Sequence, residues 1–225
     1  MINYKILSNN ENYACFKIKN EHNSFTGLSI TLGNTFRRIL LNNLVGSAIT
    51  SLKINTPISD QNNVPGIKED IFEISSNIKK LNIKSLDLKQ TKAKIKVQGP
   101  LIITGKNICS PDNLIILNPK QYICNLVTNK YCDIDLKIEQ GFGYKFYDEK
   151  FNFFSKKNNE FFIDVNFSPI IKVNYKTTLE NSDFIKNKLT EVLFLEIWTN
   201  GSITPKRAFF EACKILSTLF SSFLF

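Results

Sequence analysis

Among the 225 residues, the side chains that could do chemistry are few and scattered. His22 is the sole histidine, so a nucleophilic triad has no general base and an imidazole metal cage has no ligand set. The five cysteines, Cys15, Cys109, Cys124, Cys132 and Cys213, are odd in number and contain no C-x-x-C pair. That spacing fits neither a disulfide framework nor a tetrahedral zinc site. Free, buried thiols in a reducing compartment are expected instead. The sequence contains no Asp-x-Asp-x-Asp metal cluster, and Gly141-Phe142-Gly143 is too short for a phosphate cradle and opens no helix, so it reads as a β-turn or bulge. No catalytic residue, metal or cofactor is expected. What remains is cationic. The adjacent Arg37 and Arg38 carry planar guanidinium groups suited to bidentate contact with carboxylate or carbonyl oxygens. Lys79, Lys80, Lys84, Lys89, Lys92, Lys94 and Lys96 form the densest basic run.

The elements that must position these groups follow from hydrophobic period. Leu32, Phe36, Ile39, Leu40 and Asn43 recur at three and four, which predicts a helix over Ser29 to Asn43 with Ser29 or Thr31 as its N-cap. On that helix Arg37 and Arg38 point away from the apolar stripe. Before it, Tyr13 to Lys19 alternates as a half-buried strand, followed by a polar turn through Glu21, His22, Asn23 and Ser24. After it, Ser47 to Asn55 alternates Ala48, Thr50, Leu52 and Ile54 against Ile49, Ser51 and Lys53, until Pro57 and the polar run 59–63 break the pattern. A second helix is expected from Glu69-Asp70 through Ile71, Ile74, Ile78 and Leu81, with acidic residues at its positive end and Lys79 and Lys80 at its negative end.

From Ile83 to Phe167 short apolar runs alternate with turn dipeptides, the mark of a mostly-β module, with 148–160 left unassigned. Thr190 to Thr199 then reads as a strand ending at the turn Asn200-Gly201. Thr204 and Pro205 open a last helix whose stripe is Ala208, Phe209, Ala212, Ile215, Leu216, Leu219, Phe220 and Phe223. That stripe is wider than one small sheet needs, so part of it is expected to face a partner chain. The fold class is therefore α+β, with a helix–strand module built from both ends of the chain and a β-rich insertion between.

Composition sets the outer bounds. An apolar fraction of 43% with 19 Phe can offset the entropy of ordering the chain, so a globular protein of one large or two modest domains is expected. The net charge of +9 admits one rival, a free-standing basic nucleic-acid-binding protein, but the lysines are spread along the chain and the densest run falls on an alternating strand, as a solvated face would. The first residues carry no apolar h-region and no transit-peptide character, and the greasy stretch 215–225 is about half the length a bilayer span needs, so no membrane partner is expected.

Five blocks carry a family likeness. They are Leu32-Gly33-Asn34-Thr35-Phe36-Arg37-Arg38-Ile39-Leu40-Leu41, Pro65-Gly66-Ile67-Lys68-Glu69-Asp70, Gly141-Phe142-Gly143-Tyr144, Phe167-Ser168-Pro169 and Thr199-Asn200-Gly201-Ser202-Ile203-Thr204-Pro205. In this order they resemble the N-terminal domain of the RNA polymerase α subunit family, bacterial or plastid type. The resemblance implies a dimerisation domain of residues 1–46 and 170–225, a sheet with two packed helices, and an inserted domain of residues 47–169. It implies a non-catalytic scaffold that pairs with a second copy and assembles the two large subunits, β and β′, meeting DNA only through the complex.

Arg38 matches the family's arginine at a large-subunit contact, and Arg37, Leu41, Lys68, Glu69 and Asp70 are the further contact residues expected. Leu32, Phe36, Ile39, Leu40, Phe209, Ala212, Leu216 and Phe220 are expected at the dimer interface. Gly33 is expected to permit close helix packing and Asn34 to satisfy a backbone group. The family's V-x-x-R-T-D stretch is replaced here by 178–183 without its arginine, and the spacing of Cys109, Cys124 and Cys132 does not fit the iron–sulfur cluster held by some relatives. The sequence stops directly after the last dimerisation helix, so the family's C-terminal domain is expected to be absent from it, either by natural truncation or because the sequence is a fragment. Together with an Asn-, Lys-, Ile- and Phe-rich composition, this favours a plastid stroma over a bacterial cytoplasm.

Overall fold

A computed structural model describes residues 2–20, 27–56, 63–86, 91–146, 154–155, 159–181 and 189–223. In chain order the first elements are β1 (Ile2–Asn9), β2 (Tyr13–Asn20), α1 (Leu28–Asn42), β3 (Val45–Ile54), α2 (Ile71–Lys79), β4 (Ile83–Ser85), β5 (Thr91–Gln98) and β6 (Leu101–Thr104). After a 3-10 turn come β7 (Ile108–Cys109), β8 (Leu114–Ile116), β9 (Tyr122–Leu126), β10 (Tyr131–Phe142), β11 (Tyr144–Lys145) and β12 (Phe154–Ser155). The last are β13 (Glu160–Phe162), β14 (Val165–Asn166), β15 (Ile170–Asn181), β16 (Leu189–Thr199) and α3 (Pro205–Ser221). Contacts divide this α+β chain into two compact units, Met1–Leu44 with Ser168–Phe225, and Val45–Phe167. The polar turn of 21–24, Lys89 and most of 148–160 lie outside the described residues.

The terminal unit is a four-stranded antiparallel sheet in the order β1-β2-β16-β15. Period-2 alternation aims Ala14, Phe16 and Ile18 of β2 and Leu193, Leu195 and Ile197 of β16 at one face, and all six are buried. Helices α1 and α3 cover that face with Phe36, Leu40, Ala208, Phe209, Ala212 and Leu216. Phe209 stacks on Phe16 at 4.5 Å between ring centroids and leans on Phe36 at 5.3 Å.

Two strands of this sheet are silent in the sequence pattern. β1 is an edge whose register shifts between Ile6 and Ser8, leaving Tyr4 and Leu7 about half exposed. β15 is the other edge, and a shift between Ile170 and Lys172 turns Ile171 outward.

Helix α1 reaches the sheet closely at Gly33. A Cβ built there would stand 2.5 Å from the Tyr175 ring and 3.0 Å from a Leu193 methyl. Its N-terminus corrects the expectation of Ser29 or Thr31 as cap: the capping position is Gly27, at φ 85°, whose own residue offers no side-chain acceptor. Glu191 of β16 supplies it from afar, one carboxylate oxygen accepting from the Gly27 N–H at 2.6 Å and the other from the Ser29 N–H at 3.1 Å. These two backbone bonds hold the Glu191 carboxyl below the ordinary glutamate range. Helix α3 follows the local rule instead, with the Thr204 hydroxyl accepting from the Arg207 N–H and Pro205 at the first helical position.

The middle unit is built on a larger sheet, β12-β13-β3-β10-β5-β7, with β4 on β3 and β8 on β4, and two separate ribbons, β6-β9 and β11-β14. Ile71, Ile74 and Ile78 of α2 are fully buried in its core. Asp70 caps that helix by accepting from the Glu73 N–H at 2.7 Å. β3 departs from its simple alternation because the ladder to β10 pairs Ser51 with Lys137 but Ile49 with Ile138, bulging Thr50. The extra residue brings Ile49 into the same core as Leu52 and Ile54, and all of 49–52 are buried.

Where a β-turn or bulge is expected, Gly141 is still paired with Gly46 inside β10, and the chain bends only at Gly143. A Cβ at Gly141 would meet the Phe167 ring at 2.9 Å, and Gly143 adopts φ 66° before β11. The cysteines are free thiols, but only Cys124 and Cys132 are buried; Cys109 is exposed, because it lies on the short edge strand β7. Burial pushes the Cys132 thiol up to about 11.

Two substitutions test this packing by chemical unfolding of the intact chain. Gly33→Ala forces the helix off Tyr175 and is expected to destabilise the terminal unit by about 1–3 kcal/mol. Glu191→Gln removes a charged acceptor from two helix N–H groups and is expected to cost about 1 kcal/mol at neutral pH. Because the folded carboxyl has the lower pKa, its contribution is present above the unfolded value and fades as pH falls through the folded one. The variant and the parent should therefore converge in stability as the pH falls through the lowered value of the folded carboxyl.

Candidate functional site

Residues with no task inside the fold are the ones left to meet a partner, and α1 separates the two kinds sharply. With 3.6 residues per turn, Phe36 and Leu40 face the core while Arg38 falls about 200° from Phe36, on the opposite side. Arg37 and Arg38 are both exposed, and neither forms a hydrogen bond or ion pair among the described residues. Leu41 is half-buried against the terminal core, and Asn34 is exposed with no backbone group in reach, so the expected satisfying role for Asn34 is not found. The arginine pair is thus exposed on a helix whose opposite face is fixed by the core.

The expected interface residues of α1 and α3 also serve the fold. Phe36, Leu40, Phe209, Ala212 and Leu216 are between 0% and 8% exposed, enclosed by the chain's own sheet, while Leu32 and Ile39 are half-buried against it. They hold the helices in place. Of the eight, Phe220 alone is exposed, at 59%, and it has company at the end of α3: Leu219 at 53% and Phe223 at 78%. Ile30, at 56% on the first turn of α1, is a further exposed apolar residue that the stripe did not include. The first three turns of α3 feed the core, and the last turn has no sheet left beneath it.

In the middle unit the segment before α2 divides in an unexpected way. Lys68 is exposed, as a contact residue must be. Glu69 is only 9% exposed; its carboxylate accepts from the Tyr122 hydroxyl and, at 2.7 Å, from the Asn125 N–H. Burial and this contact push the Tyr122 hydroxyl up to about 12. Asp70 is half-buried and committed to the α2 cap. Glu69 is therefore an internal anchor, because a buried carboxylate with two donors is satisfied where it stands. An acidic residue between Lys68 and Asp70 gave no hint of a donor 56 residues away.

Three lysines of the basic run in the same unit are matched. Lys94 reaches Asp135 at 3.2 Å and Lys96 reaches Asp133 at 3.6 Å, both directly across from them on β10. Lys79 stands 4.0 Å from Asp164. Burial works to raise the Asp135 carboxyl, but the Asn55 amide and Lys94 outweigh it and hold it below the ordinary range. In the stretch where the family's arginine is missing, Glu180 closes an ion pair with Lys17 at 2.6 Å, and residues 182–183 lie outside the described residues.

Among the described residues no group of three His, Cys, Asp or Glu could hold a metal, and no helix is long and apolar enough to cross a membrane.

Comparison with known proteins agrees with a surface built for assembly. Residues 24–220 match the family described as the RNA polymerase Rpb3/Rpb11 dimerisation domain. A DNA-directed RNA polymerase subunit alpha of Trieres chinensis is 40% identical over 213 residues, covering 94% of this chain and 66% of the relative. The corresponding protein of Gracilaria tenuistipitata var. liui is 36% identical over 217 residues, covering 96% and 67%, and that of Psilotum nudum is 36% identical over 198 residues, covering 88% and 56%. The chain thus spans about two thirds or less of the length of these relatives. On this match, which takes in α1, the whole middle unit and nearly all of α3, the chain belongs to the RNA polymerase Rpb3/Rpb11 dimerisation domain family.

Proposed function

We propose that this chain is the non-catalytic α subunit of a DNA-directed RNA polymerase. Two copies pair first, and the pair then receives the two large catalytic subunits. The observation that carries this reading is the exposed, unpartnered Arg37-Arg38 pair on a helix whose opposite face is wholly taken up by the core. A guanidinium so placed loses little conformational freedom on binding and offers two parallel N–H donors to a partner's carboxylate. Lys68 adds a second cationic contact from the middle unit, and Leu41 lies a turn beyond Arg37 on the same helix.

Pairing of the two copies is assigned to the exposed ends of the helices, Ile30, Leu219, Phe220 and Phe223, supported from beneath by the buried stripe. Such residues suit an isologous contact, in which one apolar patch meets its own copy across a two-fold axis. The relatives come from diatom, red-algal and plant sources, which supports a plastid, in its stroma, over a bacterial cytoplasm. The rival reading, a free-standing basic nucleic-acid-binding protein, loses the last two members of its lysine run to cross-strand ion pairs; DNA is met only through the complex.

Two variants separate the surfaces. Arg38→Ala should leave the dimer intact in sedimentation while lowering capture of the β subunit by about tenfold or more, as loss of a central arginine does in other interfaces. Unchanged co-purification of β with this variant would defeat the assignment. Phe220→Asp combined with Leu219→Ser should shift the chain toward monomer at micromolar concentration without altering its circular dichroism. A dimer as tight as the parent's would remove the end of α3 from the pairing surface.

A further inference from the structure

The segment 64–70 is attached to the edge of β9 by a ladder that stops abnormally early. Ile67 faces Leu126 in a single antiparallel bridge. As in any non-hydrogen-bonded pair, the flanking residues carry the bonds: the Val127 N–H donates to the Gly66 carbonyl at 2.9 Å and the Lys68 N–H to the Asn125 carbonyl at 3.0 Å. A regular ladder would next return the Asn125 N–H to the Lys68 carbonyl. Here the Asn125 N–H goes to the Glu69 carboxylate at 2.7 Å instead, and the second carboxylate oxygen takes the Tyr122 hydroxyl from the start of the same strand.

With the ladder cut off, the chain is free to turn at Asp70, whose own carboxylate caps α2. At the other end of the bridge Gly66 sits at φ 96°, so close to β9 that a Cβ would clash with the Thr128 hydroxyl. A pair of adjacent acidic residues therefore performs two distinct tasks: one ends a strand and the other starts a helix.

We infer that Glu69 is a positioning residue that stands in for a backbone carbonyl, terminates the β9 ladder at Lys68, and thereby fixes the direction in which Lys68 and the first turn of α2 meet a large subunit. This rests on the reading of the chain as an α subunit only in the choice of partner; the substitution of side chain for backbone is local to this unit.

The test uses the full chain with three replacements and two readouts, hydrogen exchange at the Asn125 amide and capture of the large subunits well below the unfolding temperature. Glu69→Ala is expected to speed Asn125 exchange by about tenfold or more, as loss of a local protecting bond does, and to weaken capture by about tenfold. Glu69→Gln keeps an acceptor for Asn125 and a partner for Tyr122, and is expected to restore both readouts, which a merely charge-dependent role would not allow. Tyr122→Phe removes one of the two bonds while preserving the ring, so it reads the same effect at smaller amplitude if the alanine variant fails to fold.

Unaltered Asn125 exchange in both Glu69→Ala and Tyr122→Phe would overturn the local substitution. Fast exchange with undiminished capture would overturn its positioning role. Failure of the parent chain itself to capture any large subunit would count against the functional reading alone, since the exchange result is independent of it.

Discussion

Phe209 sits where the two ends of the chain meet. It stacks on Phe16 from the amino-terminal strand, leans on Phe36 from the first helix, and itself belongs to the last helix. Elements separated by the whole middle unit are joined through this one aromatic contact and the aliphatic residues around it. Take it away, and α1 and α3 lose the ring that joins them over their shared sheet. A large ring is suited to the task because its face can lie flat on one neighbour while its edge touches another, burying much area at little entropic cost.

From this seam follows a separation of duties among side chains that look alike in sequence. Apolar residues of α3 over the sheet are structural, and apolar residues one or two turns later are available, with no change in residue type at the transition. Acidic residues divide in the same manner. Asp133 and Asp135 neutralise lysines across a strand, Glu191 and Asp70 each terminate a helix, and Glu69 replaces a carbonyl. Arginines 37 and 38 have no internal employment among the described residues. An exposed charge without a partner contributes almost nothing to the fold, so its orientation is informative about what lies outside it.

Much of the architecture was legible from period alone. α1, α2 and α3 announced themselves because each buries one continuous stripe, and Thr204-Pro205 and Asp70 are local caps that a reader can see. β1 and β15 were invisible for the converse reason: as edges with shifted registers they bury too few residues in alternation to leave a signal. The cap of α1 could not be read either, since its acceptor lies on β16, more than 160 residues away. At the candidate site, the exposure of Arg37 and Arg38 followed from helical phase, whereas the enclosure of Phe36, Leu40, Phe209, Ala212 and Leu216 did not. Period identifies the side of a helix that is covered and says nothing of whether the cover is the same chain or another.

Building a domain from both termini has a consequence for the order of events at the ribosome. The side-chain bond from Tyr13 to Glu196 spans 183 positions, and the ladder between β2 and β16 is equally remote. During synthesis the first two strands and α1 emerge long before their partners exist, while the middle unit becomes complete and compact in the interval. The opening segment must wait in the company of its own exposed phenylalanines, a nascent state that is open to chaperones and to neighbouring chains. Its closure comes only when β15, β16 and α3 leave the exit tunnel, after the middle unit has been made.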